Sequence, residues 1–448
     1  MSKLKNMTDG KPIRLMIQFA LPLVLTNALQ MLFTVADSAV VGRILGVNAF
    51  AAVLATANLH WFVLSFSFGM SQGFGTYFAQ RFGADDFDGL RRAFVTAAYI
   101  ALGFGVVVGG IGIAASRPVL VLLETPQELL YDSIVYLAII LGGLPIMFIY
   151  NMLSMSLYSL GDSRTPLKAS IIAMALNIAL NLLLIFPFGI AGVAVASLVA
   201  QSVASIYCFI TLKKTGILDG CGLKPHRDAV RPLLKFALPL GFRNAVIEVG
   251  GLLVQRYINI SGTEYVAGIG AARRMYSLLM IAGGAIEAST MTFVAQNFGA
   301  GRFDRVKSGV KDGLRLALFS ALIIMALVLP FGRGIMGLMV SGDPYQINAV
   351  LDIGEQQLRI MAVFLPFLHL LFLFRAALQG IGNTIIPMIS GFVEAGTKIF
   401  SAIVITQMFG IWGVFLSDPL GWPIATALLV IAYAVSFKGI NKLKEERI

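Results

Sequence analysis

The chain carries its own sequence twice, and that duplication limits what it can fold into more than any other feature. Phe19-Ala20-Leu21-Pro22-Leu23 returns as Phe236-Ala237-Leu238-Pro239-Leu240. Gln80-Arg81-Phe82-Gly83-Ala84 with Phe87-Asp88 returns as Gln296-Asn297-Phe298-Gly299-Ala300 with Phe303-Asp304. Leu144-Pro145, Gly161, Pro166, Gly189-Ile190 and Gly192-Val193 return in order as Leu365-Pro366, Gly382, Pro387, Gly410-Ile411 and Gly413-Val414. Nearly everything between these marks is apolar. Two like halves in a membrane offer their seam as a place for a substrate.

Composition settles the solvent. The chain is 58% hydrophobic and 13% charged over 448 residues, with a mean hydropathy of +0.84, whereas a soluble domain is about one quarter charged. Twelve stretches can cross a bilayer as helices: 13–41, 49–78, 93–115, 133–160, 167–186, 189–212, 233–258, 265–294, 313–331, 353–378, 387–409 and 411–437. Each meets the requirement of about 20 residues, and no strand alternation competes. Six spans per half is an even number, so both halves enter from one side and form a parallel repeat. The expected fold is an all-α membrane protein of twelve transmembrane helices in two six-helix repeats. The expected divisions are 1–212, a connector at 213–232, and 233–448.

The net charge of +11 would suggest nucleic acid until the charges are placed. Lys and Arg cluster at Lys3 to Arg14, Arg91-Arg92, Arg164 with Lys168, Lys213 to Lys235, Arg302 to Arg315, and Lys438 to Arg447. These are alternate connections, the positive-inside pattern, which puts both termini in the cytoplasm. No nucleic acid partner is expected, and no cleavable signal peptide. Cys208 and Cys221 suggest no disulfide. The prolines within spans (Pro22, Pro145, Pro239, Pro366, Pro423) are candidate kinks.

Ionisable groups at membrane depth cost about 2.5–3.5 kcal/mol each on insertion scales, so the few present are candidates for work. Asp37 stands about 36 Å along the first span at 1.5 Å per residue, toward its outer end. It either snorkels to the interface or binds a proton or sodium ion. Asn177 and Asn181 are four apart on the fifth span and share a face, as interhelical glue or as donors to a carboxylate or ion. The second half holds Glu248, flanked by Arg243 and Arg256, then Arg273, Arg274 and Glu287, then His369 and Arg375, then Glu394 and Lys398. Glu394 and Lys398 are spaced as an i,i+4 ion pair. One of Arg273 and Arg274 is expected to face a wet cavity or to pair with Glu248. Arg375 is expected to snorkel. His369 is either a structural group or a titrating one. A phosphate-binding loop, a metal-ligand spacing and a nucleophile elbow are all lacking, so neither an ATP motor nor an enzyme is expected. No cofactor is expected beyond a coupling ion.

Taken together, Ala36-Asp37-Ser38 leading to Val41-Gly42-Arg43 and Gly46, the two Gln-x-Phe-Gly-Ala signatures, Leu160-Gly161-Asp162, Leu378 to Asn383, and Asn177 with Asn181 before Gly189 resemble the multidrug and toxic compound extrusion (MATE) transporters. The resemblance implies two lobes in a V around a central cavity in the cytoplasmic membrane. It implies export of amphipathic, often cationic, small molecules driven by inward H+ or Na+, and a coupling site at Asp37, Asn177 and Asn181. The family often has an aspartate where Asn181 stands, which leaves proton coupling open. One branch uses a seventh-span glutamate, matched by Glu248, with a tenth-span aspartate that is absent near His369. The remaining second-lobe candidates for a cavity or polar network are Arg273, Arg274, His369, Glu394 and Lys398. A flippase for a lipid-linked saccharide, from the same superfamily, is the alternative. Such a cavity needs unpaired arginines, and Arg243, Arg256, Arg273 and Arg274 are available. A monomer is expected, because the duplication already supplies both lobes.

Overall fold

A computed structural model describes residues 6–122, 125–220, 222, 224–338 and 344–445. Cys221 lies outside them. The described residues are helical, in the order α1 Pro12–Ile44, α2 Val47–Gly83, α3 Phe87–Leu122, α4 Gln127–Gly142, α5 Leu144–Ser159, α6 Arg164–Lys213, α7 Arg227–Ile260, α8 Thr263–Gly299, α9 Phe303–Gly337, α10 Pro344–Gly380, α11 Ile385–Phe400, a π-helical turn Ser401–Ile405, α12 Thr406–Phe409, α13 Trp412–Phe415 and α14 Gly421–Glu445. Among the described residues nine helices are long and apolar enough to cross a membrane, and two bent pairs taken as one span each make eleven. Dividing α6 at Gly189 separates the two spans expected at 167–186 and 189–212 and brings the number to twelve. The protein is a multi-pass membrane protein.

The break in α6 explains why one helix holds two spans. Gly189 has φ 55° and ψ −133°, and its counterpart Gly410 has φ 62° and ψ −138°. Side-chain-bearing residues rarely adopt that conformation, so the glycines sharply redirect the chain between two arms. The other repeated marks also recur in space. Phe82 meets Phe87 edge-on at 6.2 Å, and Phe298 meets Phe303 the same way at 5.8 Å. Asp162 accepts from the N–H groups of Arg164 and Thr165 at the start of α6, and Asn383 accepts from Ile386 at the start of α11. The kink expected at Pro145 is present: α4 and α5 meet at 46° across Gly143, with Pro145 in the first turn of α5. Pro423 falls in the first turn of α14, where no intrahelical N–H is lost and no kink follows.

The chain divides into two compact units. One is built on Leu21–Gly241, the other on Phe242–Ile448, and the second also takes in Thr8–Ala20. In the first, Phe74, Phe78 and Phe148 pack with Leu233 and Ala237 from the start of α7. A Cβ on Gly73 would lie 2.5 Å from the Ala237 Cα, so only glycine lets α2 and α7 come this close. In the second, Leu365, Leu368 and Leu371 pack with Trp422 and Leu429, and Tyr276 stacks on Trp422 at 5.7 Å. Thr8–Ala20 joins this unit through Arg302, which donates to the Thr8 carbonyl and to Asp9 at 2.8 Å each, and Arg305, which donates to the Gly10 carbonyl at 2.9 Å.

Replacing Gly189 or Gly410 by Ala is expected to cost about 1–3 kcal/mol each, because no neighbour lies within 4 Å of the added methyl and the whole penalty is conformational. Gly103→Ala, on an open helical face of α3, is expected to stabilise by about 0.5–1 kcal/mol. Thermal unfolding of the purified protein in detergent checks both.

Candidate functional site

The Asp37 site is built where three arms reach the same depth. Asp37 lies seven residues before the end of α1 at Ile44, and Asn181 eight before the break at Gly189. At 1.5 Å per residue both lie about 10–12 Å below their helix ends. Ser197 lies eight residues after the break, so the return arm brings it to the same level. Asn181 Nδ2 donates to Asp37 Oδ1 at 2.5 Å, and Ser197 Oγ donates to Asp37 Oδ2 at 3.3 Å. Asn177 Nδ2 donates to Ser197 Oγ at 3.1 Å, and Asn181 Nδ2 also reaches Asn177 Oδ1 at 3.1 Å. Both asparagines are fully buried. Asn181 Oδ1 is buried and has no hydrogen-bond partner among the described residues.

Every partner of the Asp37 carboxylate among the described residues is therefore neutral. Among the described residues no cationic side chain lies within ion-pair distance of it. Hydrogen bonds to a charged group stabilise it by about 1.5–3 kcal/mol each, comparable to the cost of the charge at this depth. Carboxylate, amide and hydroxyl oxygens are hard donors that suit a proton or an alkali cation rather than a soft metal. Among the described residues no group of three or more His, Cys, Asp or Glu side chains is placed to hold a metal ion. Ser197 is absent from the sequence-derived candidates. Its signal is the equal spacing of residues 181 and 197 about Gly189.

The charges of the second unit pair differently from the expectation. Glu394 does not pair with Lys398. It is buried against Arg375, whose Nε also donates to Ser390 Oγ at 2.9 Å. Arg375 is thus a buried ion-pair partner and does not snorkel. Lys398 Nζ instead contacts Asp418 Oδ1 at 2.6 Å. An i,i+4 pair contributes only about 0.2–0.5 kcal/mol, and partners from other helices win where water is excluded. Arg243 pairs with Glu287 at 3.4 Å, both buried. Arg273 donates to Gln255 Oε1 at 3.0 Å rather than to Glu248, and Arg274 is exposed. Glu248 is exposed, with no ion pair within 4 Å among the described residues. His369 Nδ1 is 2.8 Å from Ser320 Oγ and 3.2 Å from the Ala317 carbonyl, and its buried Nε2 has no partner among the described residues.

Residues 22–183 and 239–404 match the MatE family. The chain belongs to the MatE family. The two matched segments fall one in each half of the repeat, and together they span most of the chain. This MatE chain is 28% identical over 383 residues to the probable multidrug resistance protein YpnP of Bacillus subtilis, covering 85% of each. It shares the fold of a MOP superfamily transporter from Pyrococcus furiosus, with a TM-score of 0.89, 19% identity and coverage of 98% of this chain and 100% of the other. It also shares the fold of a MATE crystal structure in the bent conformation, with a TM-score of 0.88, 20% identity and coverage of 98% of each.

Glu394→Ala is expected to destabilise the MatE chain by about 3–5 kcal/mol, because it leaves Arg375 buried without its counterion. Arg359→Ala removes an exposed pair with Glu355 and is expected to change stability by less than about 0.5 kcal/mol. Melting curves in detergent compare the two.

Proposed function

We propose that the protein is a secondary active antiporter of the cytoplasmic membrane, with both termini in the cytoplasm. It exports amphipathic, cationic drugs or toxic metabolites as a monomer, in exchange for H+ or Na+. One observation carries the reading: among the described residues, Asp37 is a carboxylate at membrane depth held only by neutral donors, beside a buried amide oxygen, Asn181 Oδ1, that lacks a partner. A proton or sodium ion entering this place neutralises the carboxylate and gives the free amide oxygen something to bind. A permanent ion pair would already satisfy the carboxylate and leave nothing to exchange. The drug-resistance name of the Bacillus relative supports the substrate class.

The cycle follows from competition between two ligands for two states. Substrate loads from the cytoplasmic side. The outward-open state admits a cation to Asp37, and the differential affinity of the two ligands for the two states drives the exchange. A saccharide-lipid flippase is less well supported, since two of the four arginines it would draw on are committed, Arg243 to Glu287 and Arg273 to Gln255, while Arg256 and Arg274 are exposed.

The test is dye efflux from proteoliposomes under an imposed pH gradient or sodium gradient. Wild type is expected to move dye under one of them, and Asp37→Asn to abolish movement while the protein stays folded. Dye transport in Asp37→Asn at the wild-type rate would overturn the role of Asp37. Ser197→Ala identifies the ion by the sign of its effect. For a proton it removes a donor that favours the bare carboxylate, so half-maximal efflux moves to less acidic pH. For sodium it removes an oxygen ligand, so more sodium is needed.

A further inference from the structure

The second unit contains the counterpart of the Asp37 site, and its residues are different. From Leu144 to Val193 the repeat holds one spacing: Gly161 returns as Gly382 and Gly189 as Gly410, each 221 positions later. At that spacing Asn177 falls on Lys398, Asn181 on Ala402 and Ser197 on Asp418. Asp37 falls on Val254 at the spacing of Pro22 and Pro239, or on Leu253 at the spacing of Gly46 and Gly262.

One contact across the break is retained while the chemistry and the local backbone change: Ser197 lies in the helix after Gly189, whereas Asp418 lies in the turn between α13 and α14. In the first unit Asn177 Nδ2 donates to Ser197 Oγ at 3.1 Å, and in the second Lys398 Nζ donates to Asp418 Oδ1 at 2.6 Å. In both, a nitrogen on the arm before the break glycine meets an oxygen on the arm after it. Where the first unit has Asp37 and Asn181, the second has Val254 and Ala402, buried in one apolar cluster with Val414 and Phe415. The acid has moved from the first helix to the return arm, and the neutral amide has become an ammonium.

We infer that the second unit holds a cation site filled by its own side chain: Lys398 Nζ occupies the place of an exchangeable cation beside Asp418, so one coupling ion moves per substrate, at Asp37. The inference rests on the antiport reading. A tethered ammonium competes at a local concentration that dissolved ions do not match. The side chains of Lys398 and Asp418 are 12% and 15% exposed, so little water reaches the pair. Among the described residues the charged or titratable groups that act on it are Glu248 on α7 and Arg273 and Tyr276 on α8, and Glu394, one turn before Lys398, is held by Arg375. With Glu248, Arg273, Lys398 and Asp418 charged, the cluster is neutral and does not attract a further cation.

Two measurements test the inference. The first is the melting temperature of the purified protein in detergent as sodium is added or pH is lowered from neutral to mildly acidic. In an Asp37→Asn background no cation-dependent rise is expected from the second unit. Adding Lys398→Asn frees Asp418 and creates a rise, which a further Asp418→Ser removes. The triple variant also carries the first unit's own pair, and its melting separates misfolding from loss of the lysine. A cation-dependent rise in Asp37→Asn alone that Asp418→Asn eliminates would overturn the inference. The second measurement is static head in proteoliposomes, with ethidium as the probe and the membrane potential clamped at zero. An ion gradient of about tenfold should hold a dye ratio of about tenfold for one ion, and about a hundredfold for two. A hundredfold ratio overturns the single-ion inference and leaves antiport standing. No gradient-driven dye movement overturns antiport, and the melting series then decides the site by itself.

Discussion

Hydrocarbon offers no hydrogen bonds, so every backbone N–H and C=O carried into a bilayer must be satisfied within the chain, and a polar side chain there is costly without a partner. That constraint makes the described residues helical and gathers the polar side chains into a few closed sets. Asp37 is met by Asn181 and Ser197, Glu394 by Arg375, Glu287 by Arg243 and Asp418 by Lys398. The sets differ in one respect that matters for function. The first is closed by neutral donors and leaves a net negative charge, whereas the other three are closed by opposite charges. The proposed exchange of an ion is therefore assigned to the first, whose carboxylate has no built-in counter-charge among the described residues.

The duplication separates scaffold from chemistry. What recurs between the halves is backbone and packing: the break glycines at 189 and 410, the edge-on phenylalanines that flank the turns after α2 and α8, and the caps by Asp162 and Asn383. What diverges lies on the two arms around each break. The same hairpin can therefore carry an amide–hydroxyl pair in one half and an ammonium–carboxylate pair in the other.

The spans and the repeat are plain in the amino-acid sequence because apolar length and glycine or proline punctuation are local properties. The shared face of Asn177 and Asn181 is local as well, since it follows from helical spacing. Partners across helices are not legible in this way. They depend on how each helix is rotated, which no single span encodes, and so Glu394 meets Arg375 rather than its neighbour Lys398 one turn away. Asp418 is obscured for another reason. It precedes Pro419, and Asp-Pro reads as a turn, yet this turn, between α13 and α14, lies against Lys398 on α11.

Thr8–Ala20 belongs with the second unit although it opens the chain, and the groups that hold it, Arg302 and Arg305, lie some three hundred residues further on. Synthesis proceeds from the N-terminus. The leading segment therefore leaves the ribosome long before its docking place exists. The first half cannot reach its final arrangement by itself, and the start of α9 completes the leading segment of the protein as well as its later part.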